Sequence, residues 1–167
     1  MHVRSFPPIA TPRATRLVLG TMPGNMSLAA HEYYAHPRNA FWDIMQALLG
    51  VHRALPYGER VKALQKAGIA VWDVLAACTR TSSLDSDIVA GSIVPNDFAP
   101  FLTTHPRIRT IFFNGNNARR LFERHVLPQL TPRQREIGRI TLPATSPAHA
   151  RMNHAQKVKG WRVLMEV

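Results

Sequence analysis

The chain has 167 residues, 46% of them hydrophobic, with a single cysteine and a mean hydropathy of −0.13. These values indicate one globular domain with one core, and they exclude a disulfide framework or a cysteine-based zinc site. No run reaches the roughly 18 apolar residues that a membrane span needs, no secretion signal is visible, and one cysteine favours a reducing cytoplasm. The formal net charge of +11 favours a polyanionic partner, with nucleic acid first.

Short apolar runs alternate with helical patterns along the chain. The runs predict four strands over residues 16–20, 69–73, 109–113 and 139–142. Helical spacing predicts five helices over residues 41–49, 59–67, 97–104, 118–126 and 154–165. This βαβ order predicts a three-layer α/β/α sandwich around a mostly parallel four-stranded sheet.

Polar and glycine-rich segments follow the predicted strands. Ligands of open α/β sheets bind beyond the carboxyl ends of the strands. Those ends carry the loops at residues 21–24, 73–75, 114–116 and 143–150. We therefore expect one cleft built from four loops, flanked by the excess of Lys and Arg.

Four motifs at these loops resemble the uracil-DNA glycosylase superfamily, and most closely its hypoxanthine-DNA (deoxyinosine) glycosylase branch. The resemblance spans residues 16 to 165. The motifs are Gly20-Thr21-Met22-Pro23-Gly24 with the following segment 34–42, the strand and loop 68–75, Phe113-Asn114-Gly115 with Ala118, and the loop 142–150.

Two positions depart from the family pattern. The mismatch-specific members carry a water-orienting polar residue where this chain has Met22, which can neither act as a base nor accept strongly. The uracil-specific members begin the loop that wedges into the duplex with a histidine, where this chain has Ala144. The resemblance thus implies that other side chains support catalysis.

Asn39 is the first catalytic candidate. Glycosidic cleavage in this family develops negative charge on the leaving base, and an amide can donate to that charge while accepting from a water. The alternative reading is that Asn39 caps the helix that begins at Ala40.

Asp73 is the second candidate, at a position where uracil-specific relatives place an asparagine. A carboxylate only accepts hydrogen bonds, so it would favour the N1–H of hypoxanthine and disfavour adenine, whose N1 is an acceptor. Uracil, with its N3–H, satisfies the same criterion. The alternative is a turn cap after the strand.

The remaining site residues are implied by the same resemblance. Tyr34 is expected to stack on the flipped base, with Tyr33 as a substitute. The other residues of the base pocket are expected to be Gly20, Thr21, Met22, Pro23, Gly24 and Asn114. Contacts to the DNA backbone, or insertion into the duplex, are expected from Arg80, Ser83, Thr145, Ser146, Ala148, His149 and Arg151.

Eight histidines invite a metal interpretation, but the pairs His31/His36 and His149/His154 are five residues apart and do not share a helix face. We expect no metal and no cofactor. The resemblance implies a monomeric DNA repair enzyme of the cytoplasm, associated with the nucleoid during repair, that flips a deaminated base and hydrolyses its N-glycosidic bond. Two alternatives stay open: a uracil or G·U/G·T mismatch glycosylase, and a non-catalytic module that binds damaged DNA.

Overall fold

A parallel four-stranded sheet lies at the centre of the computed structural model, which describes residues 1–167. Its strands are β2 (Arg16–Gly20), β3 (Ile69–Asp73), β6 (Thr110–Asn114) and β7 (Gly138–Leu142), in the order β3-β2-β6-β7. The apolar runs form central strands because both faces of the sheet are covered. The predicted four-stranded sheet is confirmed, with boundary shifts of one residue in two strands.

Seven α-helices accompany the sheet: α1 (Asn25–Ala30), α2 (Phe41–Leu49), α3 (Tyr57–Lys66), α4 (Phe98–Thr104), α5 (Asn116–His125), α6 (Pro132–Arg135) and α7 (His154–Trp161). The five predicted helices are present. The predicted helix over 154–165 ends at Trp161 and continues as a 3-10 turn over Arg162–Met165. Helices α1 and α6 were not predicted. None of the helices combines the length and apolar character required to cross a bilayer.

The core is divided by the sheet into two apolar layers. On one face, Leu19 and Phe113 pack against helices α4 and α5, chiefly through Phe98 and Phe122. On the other face, strand residues such as Val18 pack against helices α2, α3 and α7. Alternating strand residues serve opposite faces, as strand geometry requires. The three-layer α/β/α sandwich is therefore confirmed.

A second, three-stranded antiparallel sheet was not predicted. It contains β1 (His2–Arg4), β4 (Leu75–Thr79) and β5 (Val94–Pro95), in the order β1-β4-β5. Strands β1 and β5, of three and two residues, are too short to show an alternating pattern, and β4 begins at Leu75, where a loop was predicted. Strand β4 follows β3 after one residue, so the chain passes directly from the central sheet into this small sheet.

Candidate active site

The carboxyl ends of the central strands meet in one place. Gly20 is paired in register with Asp73, and Asn114 with Leu142. A cavity of about 760 Å³ opens there, large enough for a purine or pyrimidine base. It is lined by four chain segments: residues 20–27, residues 33–39 with Asp73, residues 83–86, and residues 144–149 with Asn114. The predicted cleft at the strand ends is thus present.

Asp73 lies in the cavity wall with its carboxylate unsatisfied. Its side chain makes no hydrogen bond to the protein, its Oδ2 atom is fully buried, and the residue is 3% exposed. The pKa of Asp73 is raised to about 7, chiefly by burial and also by the nearby Asp85, while the Arg80 guanidinium opposes the shift. An unpartnered buried carboxylate is costly to fold, so a ligand is the natural partner for it.

Gly20 allows Asp73 and Tyr34 to approach the backbone. A Cβ atom on Gly20 would lie 2.6 Å from Asp73 Oδ1 and 3.1 Å from Tyr34 Oη. These distances are below normal van der Waals contact, so any larger residue would displace both side chains. The glycine therefore fixes how close the two polar groups lie to the first strand.

Tyr34 combines a packed ring with an unpartnered hydroxyl. Its backbone has a φ of 57°, and its ring stacks on Phe41 with centroids 4.2 Å apart. Burial and the neighbouring Asp73 raise the pKa of Tyr34 and the nearby Asn114 side chain opposes the shift, but no group meets the Oη with normal hydrogen-bond geometry. Tyr33 is no substitute, because its hydroxyl donates to the carbonyl of Pro7 at 2.9 Å.

Asn39 uses one end of its amide for structure and leaves the other end free. Its Oδ1 accepts a hydrogen bond from the N–H of Phe41 at 3.0 Å, while its Nδ2 makes none to the protein. Arg53 holds the loop by donating to the carbonyls of Asn39 at 3.1 Å and Pro37 at 2.9 Å. The N-cap of helix α2 is Ala40, so the capping prediction for Asn39 was wrong: its side chain instead closes the turn before the helix and keeps Nδ2 available.

Met22 points into the apolar core rather than acting as a polar group. It is 8% exposed and packs in the cluster that contains Val74 and Phe98. Thr21 is also buried, and its carbonyl accepts from the N–H of Leu75 at 3.1 Å. The position at which family members carry a water-orienting polar side chain is therefore occupied by a buried apolar one.

Thr145 connects three parts of the site. Its Oγ1 accepts from Asn114 Nδ2 at 2.9 Å, and its N–H donates to Asn114 Oδ1 at 2.9 Å. Its carbonyl accepts from the N–H of Ala40, beside Asn39, at 3.0 Å. Thr145 is 1% exposed. The prediction that it contacts DNA was wrong: it is a buried link between the last loop and the segment that carries Asn39.

Arg80 is a second correction. It was predicted to contact the DNA backbone, but the residue has no exposed surface. Its Nη2 donates to the carbonyl of Pro23 and contacts Asn25 Oδ1 at 3.4 Å. Burial lowers the pKa of Arg80, and its Nε and Nη1 atoms have no hydrogen-bond partner, so it is through Nη2 that the side chain supports the loop forming one wall of the cavity.

The other predicted DNA contacts line the cavity, except Arg151, which lies two residues beyond the last lining residue, His149. Ser83, Ser146, Ala148 and Arg151 are exposed and His149 is half-buried. The expected Lys and Arg side chains are not found around the cavity. Its lining contains one residue of these types, Arg38, and two aspartates, Asp73 and Asp85. Sequence analysis also missed Met26 and Leu84, two apolar side chains at the rim.

Together, the fold and cavity define an α/β/α protein with a partly polar cavity at the carboxyl edge of its central sheet. The family model of the uracil DNA glycosylase superfamily matches residues 7–165. A Methanosarcina acetivorans protein named hypoxanthine DNA glycosylase is 31% identical over 156 residues, 92% of each chain. One of that name from Methanosarcina barkeri is 32% identical over 119 residues, covering 71% of this chain and 74% of that protein.

A solved structure is also similar. The solution NMR structure of a protein from Methanosarcina acetivorans, described as a candidate uracil DNA glycosylase, aligns with a TM-score of 0.78 at 30% identity and covers 99% of each chain. The chain belongs to the uracil DNA glycosylase superfamily. It is a DNA repair glycosylase, an enzyme that hydrolyses N-glycosyl bonds in DNA.

Proposed function

We propose that this glycosylase removes hypoxanthine from DNA and leaves an abasic site. The observation that carries the proposal is the pair of unpartnered polar groups in one cavity, the Asp73 carboxylate and the Asn39 Nδ2 amino group. The names of the relatives from the two Methanosarcina species support the choice of hypoxanthine. No metal and no cofactor enter the proposed reaction.

Asp73 is proposed to select the base. In its ionised form the carboxylate accepts the N1–H of hypoxanthine and repels the N1 lone pair of adenine. The pKa near 7 means that about half of the molecules hold the ionised form at neutral pH. Uracil presents an equivalent N3–H and is the second candidate substrate.

Asn39 is proposed to stabilise the leaving base. When the bond from C1′ to the purine N9 breaks, both electrons go to the base, and the sugar becomes cationic until water attacks C1′. The Nδ2 amino group is free to donate a hydrogen bond to the base anion, because Oδ1 is held by Phe41 N–H. One preorganised donor of this kind contributes about 10²–10³ in rate.

The rest of the cavity is proposed to hold the extruded nucleotide. Tyr34 contacts the base through its ring edge or hydroxyl, and Asn114 with Gly20, Thr21, Pro23 and Gly24 forms the enclosing wall. Exposed rim residues, among them Ser146, His149 and Arg151, contact the DNA backbone. The enzyme is proposed to act as a monomer in the cytoplasm, on the nucleoid.

The test uses end-labelled duplexes that carry deoxyinosine, deoxyuridine or only normal bases. After incubation, alkali breaks strands wherever a base has been removed. The proposal expects breaks first at deoxyinosine, slower breaks at deoxyuridine and none at normal bases. Breaks confined to deoxyuridine would make the enzyme a uracil glycosylase. Binding without breaks on every duplex would establish a damaged-DNA binding module.

A further inference from the structure

Extruding a base leaves a gap in the duplex that a protein side chain must fill. Proteins that open a base step do so with apolar side chains such as Leu, Ile, Met or Phe. The loop at residues 144–151 offers Ala148 at its exposed turn, and a methyl group is too small to replace a stacked base. A larger apolar side chain beside the cavity mouth would complete the site.

Two such side chains lie on the opposite rim. Leu84 is 49% exposed and Met26 is 48% exposed, and both line the cavity. They lie on neighbouring segments, since Ser83 Oγ accepts a hydrogen bond from the N–H of Asn25 at 2.8 Å. Met26 follows Asn25 in the chain and Leu84 follows Ser83, so this hydrogen bond holds the two apolar residues on adjacent segments. Exposed Leu and Met side chains paired at a cavity mouth indicate a binding surface.

The segment that carries Leu84 is held firmly by its own hydrogen bonds. The Leu84 N–H donates to Ser82 Oγ at 3.0 Å, and the Leu84 carbonyl accepts from Asp87 N–H at 3.1 Å. Asp85 Oδ2 accepts from Asn117 Nδ2 of helix α5 at 3.0 Å. The turn thus presents the Leu84 side chain to solvent from a fixed backbone, which lowers the entropic cost of inserting it.

We propose that Leu84, with Met26 beside it, enters the base stack when the target nucleotide leaves it. The occupant of this apolar rim is the duplex itself, because the rim is continuous with the cavity that receives the base. The loop that contains Ala148 then closes on the phosphates from the other side. This inference rests on the proposed function, because a wedge has a role only if a base is flipped.

The test compares single-turnover base release from two deoxyinosine substrates, a full duplex and a single strand. Leu84→Ala is expected to slow release from the duplex at least tenfold and from the single strand less than twofold, because a single strand has no stack to open. Leu84→Met should restore most of the duplex rate. Leu55→Ala is the matched control, since Leu55 is 42% exposed and does not line the cavity.

Equal losses on both substrates, or no loss on the duplex, would overturn the inference and leave the apolar rim to some other partner. If the wild-type enzyme releases bases only from duplexes, fluorescence of 2-aminopurine placed beside the target decides instead. It should rise when saturating wild-type enzyme flips the base and stay low with Leu84→Ala; an equal rise overturns the inference. Failure of the proposed function is distinct, because the wild-type enzyme would then release no hypoxanthine.

Discussion

The two edges of the central sheet use polar side chains in opposite ways. At the amino edge, Arg16 donates to the carbonyls of Leu164 and Ala67, and Arg139 donates to the carbonyl of Arg135. These carbonyls lie at or near helix ends, where intrahelical partners run out. The arginines therefore bind the ends of neighbouring helices through their terminal nitrogens, although the Nε atoms of Arg16 and Arg139 are buried without a partner.

At the carboxyl edge, polar groups lack protein partners. The Asp73 carboxylate, the Tyr34 hydroxyl and the Asn39 Nδ2 amino group make no hydrogen bond to the protein. Unsatisfied groups cost stability, of order 1–3 kcal/mol each when buried. The difference lies in what the polar groups face: at the carboxyl edge they line a cavity that can admit a ligand, whereas at the amino edge they bind backbone carbonyls of the fold.

The largest expected effect is on catalysis at the carboxyl edge. Asn39→Ala removes the free donor and is expected to slow single-turnover release of hypoxanthine by about 10²–10³. The thermal midpoint measured beside it should fall by only a few degrees, since the variant also loses the hydrogen bond to Phe41 N–H. A rate within threefold of wild type would remove Asn39 from the mechanism.

Asp73→Asn should raise the free energy of unfolding, whereas Asn39→Ala lowers stability. The folded pKa of about 7 lies above the unfolded value, so burying the ionised carboxylate costs stability that grows as pH rises from about 4 to 7. Replacing it by a neutral amide should remove a cost of up to about 4 kcal/mol at pH 8, because the pKa rises from 3.8 to about 7, and should change stability little at pH 4. Urea unfolding at both pH values measures this. A less stable variant at pH 8 would contradict the comparison.

The pH dependence of the wild-type rate should follow the ionisation of Asp73. If the carboxylate accepts the N1–H of hypoxanthine, the ionised fraction controls base reading, and it increases about tenfold between pH 6 and pH 8 for a pKa of about 7. The single-turnover rate should rise by a similar factor, and Asp73→Asn should flatten the profile. A rate that falls over this range would mean that the protonated acid is the active form.

The smallest expected effect on activity comes from the amino edge. Arg16→Ala removes hydrogen bonds to two backbone carbonyls and should lower the free energy of unfolding by about 1–2 kcal/mol. The rate of base release should change less than twofold, because the residue lies at the other end of its strand from Gly20. A large loss of rate in a folded variant would show that the two edges are not independent.

The central fold could be predicted because its signals are local and strong. Apolar runs separated by helical patterns gave four parallel strands and five helices within a few residues of their true ends. The small second sheet could not be predicted, because β1 and β5 are only three and two residues long. Pairing between such distant segments depends on tertiary contacts that a local pattern does not contain.

The site was predicted in its position and in part of its detail. Asn39, Asp73 and Tyr34 line one cavity, as the motif order indicated. Arg80 and Thr145 were assigned to the DNA surface because the resemblance, and their positions after predicted strands, implied contacts with the DNA backbone or the duplex. Their burial depends on carbonyl and amide partners contributed by distant segments, which the sequence does not place.

The most direct test of the account is the single-turnover rate of Asn39→Asp on a deoxyinosine duplex. Aspartate retains the oxygen that accepts from Phe41 N–H but has no amino group to donate to the leaving base. The account predicts a folded enzyme, with a thermal midpoint near that of wild type, that releases hypoxanthine at least about a hundredfold more slowly. A rate close to wild type would contradict this role, since Asn39 would then only hold the turn before helix α2.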